Sequence, residues 1–431
     1  MQPTAKPGPI PHAVSWNLTQ RCNLRCAHCY LDAAQRSDPG PEELSAAECA
    51  RIVDELARLN PHLVLILTGG EPLLHPRLDE IVERAAAAGM TPVLGTNGTL
   101  IRLARARRLR DAGLRGVGAS LDSIDPAAHD RLRGVPGAWR RTIEGLRVLR
   151  EAGLPFVIQP SVFSWNRREI PDLAELALEL GAESVNYYFL VCTGRGQDVT
   201  DISAADYEAA LCEISRLQRE LAGRLMVTAK CAPHQKRVVH QLDGDSEFLS
   251  GYAGGCPAAT NYFRIGPRGE VSACPYIPSA GASLRERGLS EIWASDPQLE
   301  LLRDRSALKG RCGACEYREL CGGCRARAQA ATGDPLAADP SCRHMPVAGP
   351  TAQLARERTF GGDVRFTMDW TAAARQRLEA LPSFLTSMVV SRVESRARET
   401  GQDEVTAALM QQVRASSPLA QRIGHSPTGR A

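Results

Sequence analysis

Read for the spacing of its apolar residues, the chain changes texture twice. From about residue 12 to 225, short β-branched or apolar runs alternate with stretches whose apolar residues recur at three and four. The runs are HAVSWNL (12–18), LVLIL (63–67), TPVLG (91–95), GVGAS (116–120), FVIQPSV (156–162) and SVNYYF (184–189), with helical patterns such as SAAECARIVDELARL and PDLAELALEL between them. Strand, helix and strand in repetition predicts an α/β fold, a partial (β/α)6 barrel over 12–225. Its functional residues belong on loops at the C-terminal ends of the strands.

Residues 226–347 are rich in glycine, proline and cysteine and poor in helical pattern, so metal clusters are the expected staple of a second domain. A polar stretch leads to a small all-α domain over 366–416, and 417–431 read as a disordered tail.

Composition narrows the function classes. The 52 basic and 49 acidic side chains nearly cancel, which gives no reason to expect nucleic acid. Prolines break the N-terminal MQPTAKPGPIPHAVSWNL, and no apolar run reaches the ~18 residues of a membrane span, so neither a signal peptide nor a membrane partner is expected. The expectation is a cytoplasmic protein. Fourteen cysteines in that compartment point to metal binding or redox chemistry. Cys49, Cys192 and Cys212 are scattered and read as small buried hydrophobes.

Three cysteines lie in Cys22-Asn-Leu-Arg-Cys26-Ala-His-Cys29, directly after the first strand. Three thiolates on one loop hold three irons of a four-iron cluster and leave the fourth open to a small ligand. A structural zinc site is the rival, but it needs four closed ligands, and no fourth is adjacent. This loop resembles the signature of the radical S-adenosylmethionine (SAM) superfamily. The resemblance implies that the open iron chelates SAM and that reductive cleavage gives a 5′-deoxyadenosyl radical, with Cys22, Cys26 and Cys29 at the catalytic centre. It places His28 near the adenine.

Gly69-Gly70-Glu71-Pro72 follows the second strand and resembles the family's GGEP motif, which implies a hold on the SAM ammonium. Asn97 in the loop after strand three, Ser120 and Asp122 after strand four, and Asn166 after strand five resemble the next motifs around the cofactor.

A second set reads Cys256-x12-Gly269-x4-Cys274, then Cys312-x2-Cys315-x5-Cys321-x2-Cys324, then Cys342. It resembles the SPASM extension, which implies two auxiliary iron–sulfur clusters. The spacing departs from the family's, since only Gly322 and Gly323 separate Cys321 from Cys324. A zinc ribbon built on the two C-x2-C pairs is the alternative. The resemblance gives Cys312, Cys315, Cys321 and Cys342 to an outer cluster and Cys256, Cys274 and Cys324 to an inner one. Cys231, in Thr228-Ala-Lys230-Cys231-Ala-Pro233-His234, is the candidate fourth inner ligand; without it the inner iron is open to substrate.

Two features address the substrate. Cys192-Thr193-Gly194-Arg195-Gly196 and the CAPH segment resemble radical SAM enzymes that trim heme precursors in d-type heme and alternative heme synthesis. Arg195 then reads as a bidentate partner for a substrate propionate, or else as a solvated loop arginine. The tail, with Trp370, Leu378, Pro382, Phe384, Glu394 and Gly401, resembles the small helical domain of a protochlorophyllide reductase subunit. Together these imply a tetrapyrrole substrate whose propionate is decarboxylated, oxidised or removed. They also imply an external electron donor such as flavodoxin or ferredoxin. A maturase acting on a ribosomally made peptide is the alternative. About eleven residues precede the first strand, too few for the N-terminal peptide-binding domain common in such maturases.

Overall fold

The structure, a computed structural model, describes residues 9–33, 43–199, 202–222, 224–244, 246–250, 255–352, 366–379 and 383–416. Two compact units make it up, residues 1–238 with 254–353, and residues 239–253 with 354–431.

The first unit is built on one sheet. The predicted runs form β1 (Ala13–Asn17), β2 (Val64–Thr68), β3 (Thr91–Thr96) and β4 (Gly116–Ala119), followed by β5 (Phe156–Ile158), β6 (Ser161–Val162) and β7 (Ser184–Phe189). FVIQPSV gives two strands because Pro160 has no N–H to lend the ladder. Strands β1 to β5 and β7 pair in parallel, each with the next. Helices cross between them, and their apolar stripes face the sheet. In α1 (Ala46–Leu59), capped by a Ser45–Glu48 capping box, Cys49, Ile52, Val53 and Leu56 are buried.

The stretch after 225 adds to this sheet rather than standing beside it. β8 (Met226–Lys230) pairs in parallel with β7, and β9 (Tyr262–Ile265) pairs in parallel with β1, with β10 (Val271–Ser272) antiparallel at the edge. Residues 12–225 and 226–347 therefore share one sheet and one apolar core. Cys49 is buried as expected, whereas Cys192 is only half-buried and Cys212 is exposed on α7 (Ala204–Glu220), whose inward face carries Tyr207, Leu211 and Ile214.

The second unit has its own small core of Trp370, Ala374, Leu378, Val390, Val393 and Leu409. Trp370 donates from Nε1 to Glu394 at 3.0 Å. Residues 417–431 lie outside the described residues. No helix among the described residues is long and apolar enough to cross a membrane.

Candidate active site and cluster centres

The chain leaving β1 runs beside the chain leaving β2. Gly70 N–H donates to Thr19 O and Glu71 N–H to Arg21 O, both at 2.7 Å. A Cβ on Gly70 would lie 2.2 Å from Arg21 O, so only glycine permits this approach. The GGEP loop thus fixes the backbone that delivers Cys22. Cys22, Cys26 and Cys29 then pack with Leu24, Ala33 and Ala138 in one apolar cluster. Burial pushes the Cys22 thiol up to about 12 and raises Cys26. Thiols so buried ionise only beside a cation, which fits a metal-cluster donor set.

Glu71 is fully buried. Its carboxylate accepts from Thr96 Oγ1 at 2.8 and 2.9 Å, from Asn97 N–H at 2.9 Å and from Leu73 N–H at 3.1 Å. Burial outweighs these bonds and raises its pKa to about 7. Asn97 in turn donates to Asn23 Oδ1 at 2.9 Å and stands 3.9 Å from Cys22 Sγ. The loops after β1, β2 and β3 are therefore one bonded assembly.

Asp122 anchors the other flank. Helix α4 (Pro126–Arg133), capped by Asp125 with proline in its first turn, sets His129 and Arg133 four apart on its buried face. Arg133 donates from Nε to Asp122 at 2.7 Å, and its Nη1 is 3.8 Å from Cys26 Sγ. Burial would raise the Asp122 carboxyl, but the Arg133 charge holds it down at about 2. His28 meets Phe163 edge to face at 5.7 Å, and its buried Nδ1 has no hydrogen-bond partner among the described residues, an atom a bound cofactor would satisfy. The half-buried hydroxyl of Ser120 has no protein partner among the described residues.

Two expectations change. Asn166 accepts from Phe163 N–H at 2.7 Å and donates to Asp122 O and Ser161 O at 2.7 and 2.8 Å. With its amide spent on backbone, it clasps the β5–β6 loop rather than facing a ribose. Arg195 neither faces a substrate nor lies in solvent. It donates from Nε to Cys26 O at 3.1 Å, from Nη2 to Ala33 O at 2.9 Å, and pairs with Asp32. The loop after β7 folds back onto the cysteine loop, so this guanidinium braces it with three of its five N–H groups.

The remaining cysteines fall into two sets. Cys312, Cys315, Cys321 and Cys342 line one small cavity with His234, Arg237 and Asp339. Gly322 and Gly323, both left-handed (φ +64° and +69°), turn the chain out of it, and a Cβ on Gly323 would meet Cys312 Sγ at 3.0 Å. That turn carries Cys324 away to a second set. There Cys231, Cys256, Cys274 and Cys324 are close enough that their charges act on one another. Cys231 adopts φ +54°, a strained backbone for a side-chain residue, and burial raises its thiol to about 12. A zinc ribbon would bring Cys324 together with Cys312, Cys315 and Cys321; instead Cys324 does not line their cavity, and its cysteine neighbours are Cys231, Cys256 and Cys274.

Sequence reasoning missed the residues between the two sets. Asp339 is fully buried, donates its N–H toward Cys312 Sγ at 3.4 Å and accepts Cys324 N–H at 2.8 Å. Arg327 joins Asp339 at 2.9 Å to Cys231 O at 3.0 Å.

Three family models match: the radical SAM superfamily over 16–177, the SPASM iron–sulfur cluster-binding domain over 256–324, and the proto-chlorophyllide reductase 57 kD subunit over 370–414. An AdoMet-dependent heme synthase of Methanosarcina barkeri is 39% identical over 344 residues, a match using 78% of this chain and 97% of that one. The chain belongs to the radical SAM superfamily. A pre-heme d1 synthase of Dinoroseobacter shibae is 33% identical over 76% of this chain and 85% of its own. Streptococcus suis SuiB, solved bound to S-adenosylmethionine, shares the fold with a TM-score of 0.64 at 19% identity over 78% of each chain. As a radical SAM enzyme with a SPASM extension, the protein uses SAM, a [4Fe-4S] cluster and auxiliary iron–sulfur clusters.

Proposed function

We propose that this enzyme modifies a propionate side chain of a heme-like tetrapyrrole, by decarboxylation, oxidation or removal. One observation carries the reading: the match to a relative named heme synthase, 39% identical, spans 97% of that relative and 78% of this chain. When bound, SAM and its cluster supply a 5′-deoxyadenosyl radical that abstracts hydrogen. The chain's residues do the holding. Cys22, Cys26 and Cys29 ligate the SAM-binding cluster on a loop that Arg133 and Arg195 fasten. Glu71 orders the loops around the SAM amino group, and the Ser120 hydroxyl and His28 are free to meet the nucleoside. Cys231, Cys256, Cys274 and Cys324 ligate the inner auxiliary cluster, and Cys312, Cys315, Cys321 and Cys342 the outer one.

The electrons come from an external donor of the flavodoxin or ferredoxin kind, and the compartment is the cytoplasm. The ribosomal-peptide alternative is supported by likeness of fold, which sets no substrate, and by a relative named PqqA peptide cyclase at 28% identity over 82% of this chain, against 39% for the heme synthase. Anaerobic incubation of reconstituted protein with SAM, reductant and iron porphyrins, followed by mass analysis, tests the reading. A porphyrin whose mass has changed by loss of a carboxylate, by loss of a propionate or by oxidation is the expected result; SAM cleavage with every porphyrin recovered intact would refute it.

A further inference from the structure

The arginines around the barrel interior are already answered. Arg133 is paired with Asp122, Arg195 is spent on the cysteine loop, and Arg264 donates to Asn17 at 2.6 Å and to Glu270 at 3.4 Å. Lys230, the last residue of β8, is different. Among the described residues its ammonium has no hydrogen bond and no carboxylate within ion-pair distance, and its charged neighbour is the Cys231 thiol next in the chain.

Its orientation follows from the register of the sheet. Lys230 lies opposite Tyr188, and Ala229 lies opposite Tyr187. Tyr187 points outward to the helices, donating to Ile170 O at 2.5 Å, so Tyr188 and Lys230 point the other way. Thr228, two residues back on the Lys230 face, donates to Asn186 Oδ1 at 2.7 Å, and Asn186 shares that face with Tyr188. Tyr188 interacts there with Tyr262 and Tyr276, and so does Tyr30, the neighbour of Cys29. Tyr276 stands two residues after Cys274. Lys230 itself precedes Cys231. Its side chain therefore lies on the face of Tyr188, beside a group of tyrosines whose members Tyr30 and Tyr276, with rings 5.2 Å apart, follow Cys29 and Cys274 closely in the chain.

A half-buried ammonium whose one charged neighbour in the chain is the Cys231 thiol still has donors to spare for an anion from outside the chain. We infer that Lys230 is the anchor for a substrate carboxylate, binding one propionate of the tetrapyrrole between the SAM-cluster loop and the inner auxiliary cluster. This rests on the tetrapyrrole reading and gives Lys230 the part that the sequence had suggested for Arg195. The other use for a cation here is to support the Cys231 thiolate, and the two uses differ in what they predict for ligand binding.

The test uses reconstituted holoprotein and two probes, an iron porphyrin with free propionates and the same porphyrin as its propionate methyl esters. Both are titrated by absorbance into the parent, Lys230→Met and Lys230→Arg, with iron content and cluster spectra recorded for each; Lys230→Gln replaces the Met variant if that one loads poorly. The parent should prefer the free acid. Lys230→Met should lose about ten- to a hundredfold of affinity for the acid and bind the ester as the parent does, while Lys230→Arg keeps the preference. An undiminished acid-over-ester preference in the iron-loaded Met or Gln variant overturns the anchor and leaves the tetrapyrrole reading standing. A parent that binds neither porphyrin removes the reading, and the anchor with it.

Discussion

Arg133 and Asp122 form a buried ion pair, Nε to Oδ2 at 2.7 Å, directly beneath the sulfur of Cys26. Removing one partner of such a pair strands the other charge, at a cost of roughly 3–5 kcal/mol. Asp122→Asn should therefore lower the thermal midpoint and weaken iron retention at the cysteine loop. Calorimetry and iron analysis check this; an unchanged midpoint would show that Arg133 finds another counter-charge.

Arg195 yields a prediction unlike the one its sequence position suggests. With three donations into the cysteine loop, Arg195→Ala should loosen that loop and slow SAM cleavage, for a stability loss of about 1–3 kcal/mol. Porphyrin affinity of the fully loaded fraction should stay as in the parent. A selective loss of porphyrin affinity with normal SAM cleavage would restore the propionate role.

Arg195 and its neighbours misled for a physical reason. Runs such as SVNYYF announce strands because their periodicity is local, and the cysteine, GGEP and loop motifs sit beside those strands in the chain. Contacts formed at long range carry no such mark. β9 meets β1 across about 250 residues, so a glycine-rich stretch read as a separate domain joined the barrel sheet. Asn166 and Arg195 occupy loops that fold back on their own scaffold, which no spacing reveals. Cys231 was legible as a candidate only through the shortfall of one inner ligand; its left-handed backbone is visible only in the fold.

Cysteine substitution separates the three centres. Cys22→Ala, Cys26→Ala or Cys29→Ala should abolish SAM cleavage and leave the auxiliary iron, because the other eight cysteines form their own sets. Cys231→Ala should instead spare uncoupled SAM cleavage and reduce iron from about twelve to about eight per chain if the inner cluster is lost. Iron that stays at about twelve would mean another ligand completes the inner set.

If Glu71 adjoins the SAM ammonium as proposed, SAM binding should depend on pH. Its pKa is raised by burial to about 7, so between its ordinary value of 4.5 and 7 the folded protein holds a proton that the unfolded chain releases. Its contribution to stability is therefore lost as pH rises through that window, since the folded state must then bury a charge. A SAM ammonium nearby reverses the preference and favours the carboxylate. SAM affinity should fall by about tenfold between pH 8 and pH 6, equivalent to about 1.4 kcal/mol of binding free energy, and Glu71→Gln should flatten that dependence. Equal slopes in parent and variant would assign the dependence to another group.

The C-terminal unit gives the last test, because its apolar residues have already been used. Trp370 and Leu378, which from sequence alone are candidates to cover a flat macrocycle, are buried in the unit's own core, and Trp370 is tied to Glu394. Leu381 and the side chains of Phe384 and Leu385 lie outside the described residues. The Methanosarcina barkeri relative matches over 97% of its length, while about a fifth of this chain stays outside the match. Both facts point to a module added to a complete catalytic unit. Truncation after residue 352 should then keep the iron, the uncoupled SAM cleavage and the porphyrin affinity of the parent. Each ~1.4 kcal/mol of lost contact would appear as a tenfold weaker titration, so a substrate-covering role is easily seen. A truncated protein with full iron and tenfold weaker porphyrin binding would make the module part of the substrate site; unchanged binding with an altered oligomeric state would make it an assembly element.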